Sequence, residues 1–66
     1  MAITMKQARV GVEMTQRQMA EAMGCSYGTY RKWENYPEEM PIKAARKFCQ
    51  IVCLDPDDIF FDRKVN

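Results

Sequence analysis

The chain contains no histidine, and that absence removes most of the ordinary routes by which a 66-residue protein performs chemistry. Without an imidazole there is no general base poised near neutral pH, no Ser-His or Cys-His nucleophile pairing and no common zinc ligand set. Cysteine is scarce and odd in number, three residues, which does not make a disulfide framework. Cys49 and Cys53 stand four apart, as two ligands on one helix face would, but Cys25 is the only other thiol and carboxylates would have to complete the set. The thiols therefore read as reduced, buried, small apolar side chains. Asp55, Asp57 and Asp58 resemble a helix cap more than a catalytic carboxylate set. The expectation is no enzyme, no metal, no cofactor and no small-molecule ligand.

Two further things are missing. No apolar run approaches the roughly 18 residues of a membrane span, and the first residues carry one lysine, no long apolar stretch and no small-residue cleavage site. A cytoplasmic protein without a membrane partner or signal peptide is expected. Nor is there an excess of charge: ten basic residues against nine acidic ones leave a net +1. That argues against binding nucleic acid by bulk charge, but not against a reader whose basic residues are placed locally. A single small domain over 1–66 is expected, ordered over about 4–61 with a fraying tail at 62–66. A chain this short buries only about 60% of its unfolded surface, so its stability margin is thin.

What is present is concentrated in residues 15–35, TQRQMAEAMGCSYGTYRKWEN. Thr15 and Gln18 are spaced as a capping box, with Met14 and Met19 as the flanking hydrophobic staple. The helix they begin carries Met19, Ala20 and Met23 on one face and stops at Gly24, a residue suited to a left-handed helix end. Cys25, Ser26 and Tyr30 repeat the staple, cap and staple partner for a second helix, with a recognition segment at about 27–34. Thr29, Tyr30 and Trp33 cluster on its inner side; Tyr27, Gly28, Arg31 and Lys32 cluster on the outer side. Two helices of about eight residues with a glycine-containing turn form the helix-turn-helix spacing, whose second helix enters the DNA major groove. An Arg-Lys pair on an exposed helix face is also what a merely solvated surface carries, so the stretch alone leaves both readings open.

The remaining chain supplies support. A helix is expected from about Thr4 to Val10, ended by Gly11, with residues 1–3 loose. A two-proline loop spans 36–41. Pro41 then opens a helix to Cys53, with Ile42, Ala45, Phe48, Cys49 and Val52 inward and Lys43, Arg46, Lys47 and Gln50 outward. Leu54, Asp55, Pro56 and Ile59 show the staple-and-cap pattern again and predict a short fifth helix ending near Phe61.

In the residues Ala8-Arg9, Met14-Thr15-Gln16, Met19-Ala20, Met23-Gly24, Ser26, Thr29-Tyr30, Trp33-Glu34-Asn35, Ile42, Ala45, Phe48, Val52, Leu54 and Ile59, the chain resembles the Cro/C1-type, or XRE, helix-turn-helix family of phage and bacterial repressors. The resemblance implies an all-α, compact five-helix lambda-repressor-like DNA-binding domain, with the helix-turn-helix at helices 2–3. It also implies backbone contacts from Gln16 and Asn35, and an ion pair between Arg9 and Glu34. Arg17, Ser26 and Thr29 join as candidate backbone contacts, while Tyr27, Gly28, Arg31 and Lys32 are candidates for base readout, Arg31 first because a guanidinium can donate twice to guanine. Gly28 inside the reading helix, Tyr36 where relatives often carry glycine (leaving Asn35 to turn left-handed), and the bulky Tyr30 and Trp33 depart from the family pattern.

The implied partner is double-stranded DNA, bound by a homodimer on an inverted repeat, with Tyr36, Phe60, Phe61 and Val65 as candidate dimer contacts. The alternative on the same fold is a protein-interaction module of the antitoxin, adaptor or inhibitor kind, favoured by the low net charge and by Gly28.

Overall fold

A computed structural model describes residues 3–59 of the chain. Four α-helices follow one another: α1 (Met5–Gly11), α2 (Gln16–Met23), α3 (Tyr27–Asn35) and α4 (Ile42–Val52). Single 3-10 turns at Pro37–Glu39 and Pro56–Asp58 follow α3 and α4.

Local chemistry sets each start. Thr4 caps α1 by accepting from the Gln7 N–H at 3.1 Å, while the Gln7 side chain accepts from the Thr4 N–H at 2.9 Å. Gln7 is thus half of a capping box. Thr15 and Gln18 make the expected one at α2, with distances of 3.0 and 2.8 Å. Ser26 caps α3 through the Thr29 N–H. These caps satisfy donors that the first helical turn leaves without partners.

The helix ends share a second device. At α2, Gly24 has φ 75°, its N–H donates to Glu21 and the Cys25 N–H donates back to Ala20: a Schellman closure. At α1 the same pair of bonds runs from Glu13 to Val10 and from Met14 to Arg9, with Glu13 at φ 60°. Gly11 is the last helical residue, so the left-handed position falls two residues after it. Cys53 ends α4 at φ 58° and is exposed, which corrects the expectation that all three thiols are buried; Cys49 is buried and Cys25 half-buried. Asn35, expected to turn left-handed, stays helical, and Tyr36 leaves α3 through an extended φ of −134°.

The core joins Met5 and Ala8 of α1, Met19, Ala20 and Met23 of α2, Tyr30 of α3, Phe48, Cys49 and Val52 of α4, and Ile59. The Tyr30 and Phe48 rings stack with centroids 6.4 Å apart. Ile42 departs from the expected inward face of α4: it is 74% exposed, and Met40 and Ala44 pack against the core at that end. Met40, in the loop before the helix, supplies apolar cover there, and Pro41 serves as the cap residue with Ile42 first in the helix.

The fifth helix is not formed within the described residues. Asp55 caps a single 3-10 turn by accepting from Asp57, and Ile59 is extended, paired in a parallel bridge with Ile3. The Ile3 N–H donates to the Asp58 carbonyl at 2.8 Å, so Ile3, expected to be loose, is tied down. Continuing the helix would forfeit this bond and lift Ile59 from the core, where it is 5% exposed. Phe60, Phe61, Val65 and the tail lie outside the described residues.

Candidate nucleic-acid interface

α2 and α3 meet through the Gly24 turn, and the inner face of α3 anchors the pair. Tyr30 is fully buried, Trp33 packs against the core from a half-buried position, and Glu34 sits at the far end beneath α1. Arg9, 8% exposed, donates through Nε to Glu34 Oε2 at 2.6 Å and through Nη1 to the Met14 carbonyl at 2.7 Å. The Tyr30 hydroxyl donates to the same Glu34 oxygen, and Gln16 Nε2 donates to Glu34 Oε1 at 2.9 Å. One carboxylate thereby ties α1, α2 and α3 together and sets the angle at which α3 is presented.

Electrostatics follow from that geometry. Burial alone would raise the Glu34 carboxyl pKa, but bonds from Arg9, Tyr30 and Gln16 outweigh it and hold the group below its ordinary value. Burial works against the Arg9 charge, and the Glu34 carboxylate more than restores it. The Tyr30 phenol is pushed well up, by burial first and then by its bond to Glu34. Among the described residues, no buried side-chain nitrogen or oxygen lacks a hydrogen-bond partner.

On the outer face Gly28, Arg31 and Lys32 are exposed and Tyr27 is half-buried. Arg17, from the first turn of α2, places its guanidinium carbon 4.3 Å from the Tyr27 ring centroid, and that of Arg31 lies at 5.5 Å. Lys32 leans away, its Nζ 3.1 Å from Glu39 Oε1 in the following 3-10 turn. A Cβ added at Gly28 would meet nothing within 4 Å. Ser26 Oγ donates to Thr29 Oγ1 at 2.8 Å, linking two of the candidate backbone-contact hydroxyls. Gln16 is the one whose amide already has an internal partner, while Asn35 is exposed at the end of α3.

The structure thus brings Tyr27, Arg17 and Arg31 into one cluster and Arg9, Gln16 and Glu34 into another, and draws Lys32 toward Glu39. Two partnerships were not expected from the sequence: Tyr30 donating to Glu34, and Glu39 pairing with Lys32. The first had a signal, since Tyr30 and Glu34 are four apart on one helix. The second depended on how the proline loop folds. Tyr36, a candidate dimer contact, is 44% exposed just past α3.

Among the described residues no group of histidine, cysteine, aspartate and glutamate is placed to hold a metal ion, and no helix is long and apolar enough to cross a membrane. No curated protein and no solved structure matches the chain. A family model described as "Helix-turn-helix" matches residues 5–50, from the start of α1 through most of α4. The capped α2–turn–α3 pair, the carboxylate that fixes it and this match over most of the chain carry one conclusion: the protein belongs to the Cro/C1-type, or XRE, family of helix-turn-helix DNA-binding domains.

Proposed function

We propose that the protein is a sequence-specific regulator of transcription that reads double-stranded DNA with the outer face of α3 in the major groove, acting as a cytoplasmic homodimeric repressor on an inverted repeat. The observation that carries this reading is the outer face itself. Gly28 leaves it open, Arg31 projects from it beside Tyr27, and Arg17 stands next to them at the start of α2. Guanidiniums at such a site can donate in pairs to guanine or phosphate. Arg31 and Lys32 are assigned to base edges with Tyr27 and Gly28, and Gln16, Arg17, Ser26, Thr29 and Asn35 to the sugar-phosphate backbone.

A domain of this size gains affinity by binding two half-sites about one helical turn apart. Tyr36 is the candidate contact within the described residues, with Phe60, Phe61 and Val65 beyond them. The test is selection of bound duplexes from a random pool at about 150 mM salt, where purely electrostatic binding is weak. Recovery of a short inverted repeat, relaxed at one position of each half-site by Arg31→Ala, supports the reading. Binding that enriches no sequence and vanishes as salt rises overturns it and favours a protein-interaction module on the same fold.

A further inference from the structure

The cluster at Tyr27 does something that neither arginine does alone. Arg17 comes from α2 and Arg31 from α3, yet both guanidiniums lie within 6 Å of one ring, and the ion pairs among the described residues are Arg9–Glu34 and Lys32–Glu39. Two like charges therefore share one ring on an exposed face, and neither takes part in those ion pairs. The attraction that offsets their repulsion is the electron-rich face of the tyrosine ring. A guanidinium stacked on a ring keeps its N–H edges free to donate, and it has already given up much of the rotamer freedom that an arginine loses on docking.

We propose that Tyr27 is a positioning residue: its ring gathers Arg17 and Arg31 into one paired-guanidinium element that meets a phosphate and the neighbouring guanine edge together. This rests on the reading of α3 as the helix that enters the groove, and it changes the part Tyr27 takes in that reading. The ring acts through the two arginines, and the hydroxyl is dispensable. Arg17 becomes coupled to base readout although it belongs to the first helix of the pair.

The experiment has one arm on the free protein and one on DNA. In the free protein, the side-chain protons of Arg17 show an upfield ring-current shift in NMR spectra, kept in Tyr27→Phe and lost in Tyr27→Leu. On the duplex recovered with the wild-type chain, Tyr27→Phe binds within about twofold of wild type, while Tyr27→Leu and Arg17→Ala each bind about tenfold more weakly. The Arg17→Ala/Tyr27→Leu double variant is then scarcely weaker than either single one, because the two changes remove the same unit. Unchanged helical circular dichroism and thermal midpoints exclude a loss through misfolding.

An absent ring-current shift overturns the proposal. So does Tyr27→Phe binding as weakly as Tyr27→Leu, or single losses that multiply in the double variant. If the wild-type chain recovers no sequence at all, the DNA reading falls and takes the readout role of the cluster with it. The ring-current arm then still reports whether Tyr27 holds the arginines.

Discussion

Arg9 Nε lies 2.6 Å from Glu34 Oε2 across 25 residues of sequence, and the carboxylate it meets also accepts from Tyr30 and Gln16. Both side chains are almost wholly buried, so removing either leaves a charge in the interior without its partner. Such a loss costs about 3–5 kcal/mol, as much as the whole margin of a small domain. Arg9→Ala and Glu34→Ala should each be largely unfolded at 25 °C in urea titrations followed by circular dichroism. Arg9→Met/Glu34→Leu, which removes both charges and keeps apolar volume, should be more stable than either single variant but less stable than wild type, because the buried Tyr30 hydroxyl loses its acceptor. A single variant that unfolds at the wild-type urea midpoint would show the pair to be energetically idle.

The same carboxylate makes stability depend on pH. Its folded-state pKa is depressed, because bonds from Arg9, Tyr30 and Gln16 outweigh the effect of burial. A depressed carboxylate contributes stability that is complete above the unfolded-state value and is lost as pH falls through the folded-state one. The thermal midpoint should therefore decline as pH is lowered from about 5, near the start of ordinary carboxylate titration. Glu34→Gln should begin lower at neutral pH and lose less on acidification. The difference between the two curves isolates this group, and parallel curves would remove it as a cause.

Glu13 and Cys53 occupy left-handed positions at φ 60° and 58°, where Gly24 does the same task without a Cβ penalty. Both are exposed, and no side-chain contact stronger than a long sulfur one, from Cys53 to the Gln50 carbonyl at 3.8 Å, holds either of them among the described residues. Glycine at each site should relieve about 1 kcal/mol of backbone strain. The two sites close different helices, so their effects should add. Glu13→Gly/Cys53→Gly should accordingly unfold at higher temperature than either single variant, as differential scanning calorimetry would register. Unchanged or lowered midpoints would place the strain elsewhere.

These left-handed ends mark where the sequence stops being readable. The helix starts were legible because Thr15, Gln18 and Ser26 act on backbone groups two or three residues away, and so was the inward face of α3, where Tyr30 recurs at helical spacing from neighbouring apolar residues. The Arg9–Glu34 relation was legible only through family resemblance, since no local rule joins residues 25 apart. The segment 54–59 departs from the expectation: a capped, proline-first segment promises a helix, but Ile59 gains burial by extending beside Ile3, a long-range pairing that no window of sequence contains. Ile42 was misplaced for a similar reason. Periodicity sets its angle around α4 and says nothing of whether any core lies opposite that turn. On the candidate interface, sequence placed Arg31 and Lys32 on one face; Arg31 meets Tyr27 by a local four-residue spacing within α3, whereas the turn of Lys32 toward Glu39 depends on how the proline loop folds.

Gly28 is the one residue of the outer face where stability and binding should part company. Its backbone is helical, and a Cβ there would meet nothing within 4 Å. Alanine should therefore stabilise the free protein by about 1 kcal/mol through helix propensity alone. If bare backbone is what lets α3 approach the groove closely, Gly28→Ala should at the same time weaken binding to the selected duplex several-fold. A thermal midpoint that rises together with unchanged binding would mark Gly28 as a tolerated gap in the readout.

Lys32 and Glu39 form a pair with both side chains open to solvent, at 3.1 Å. Such pairs contribute little to stability, because water and salt screen them and both side chains surrender rotamer freedom. The consequence for binding is larger. Glu39 holds the one lysine of the outer face and sets a negative charge beside the surface proposed to approach phosphate. Glu39→Gln should leave the thermal midpoint nearly unchanged while strengthening binding to both selected and unrelated duplexes. The gain on unrelated DNA should be the greater in proportion, because charge-driven affinity carries no sequence information. Glu39 would then act as a filter, weakening contact everywhere so that only a site offering Lys32 a better partner is held. Titrations of both duplexes at two salt concentrations decide the matter: equal proportional gains leave Glu39 as simple repulsion, and no gain on either removes it from the interface.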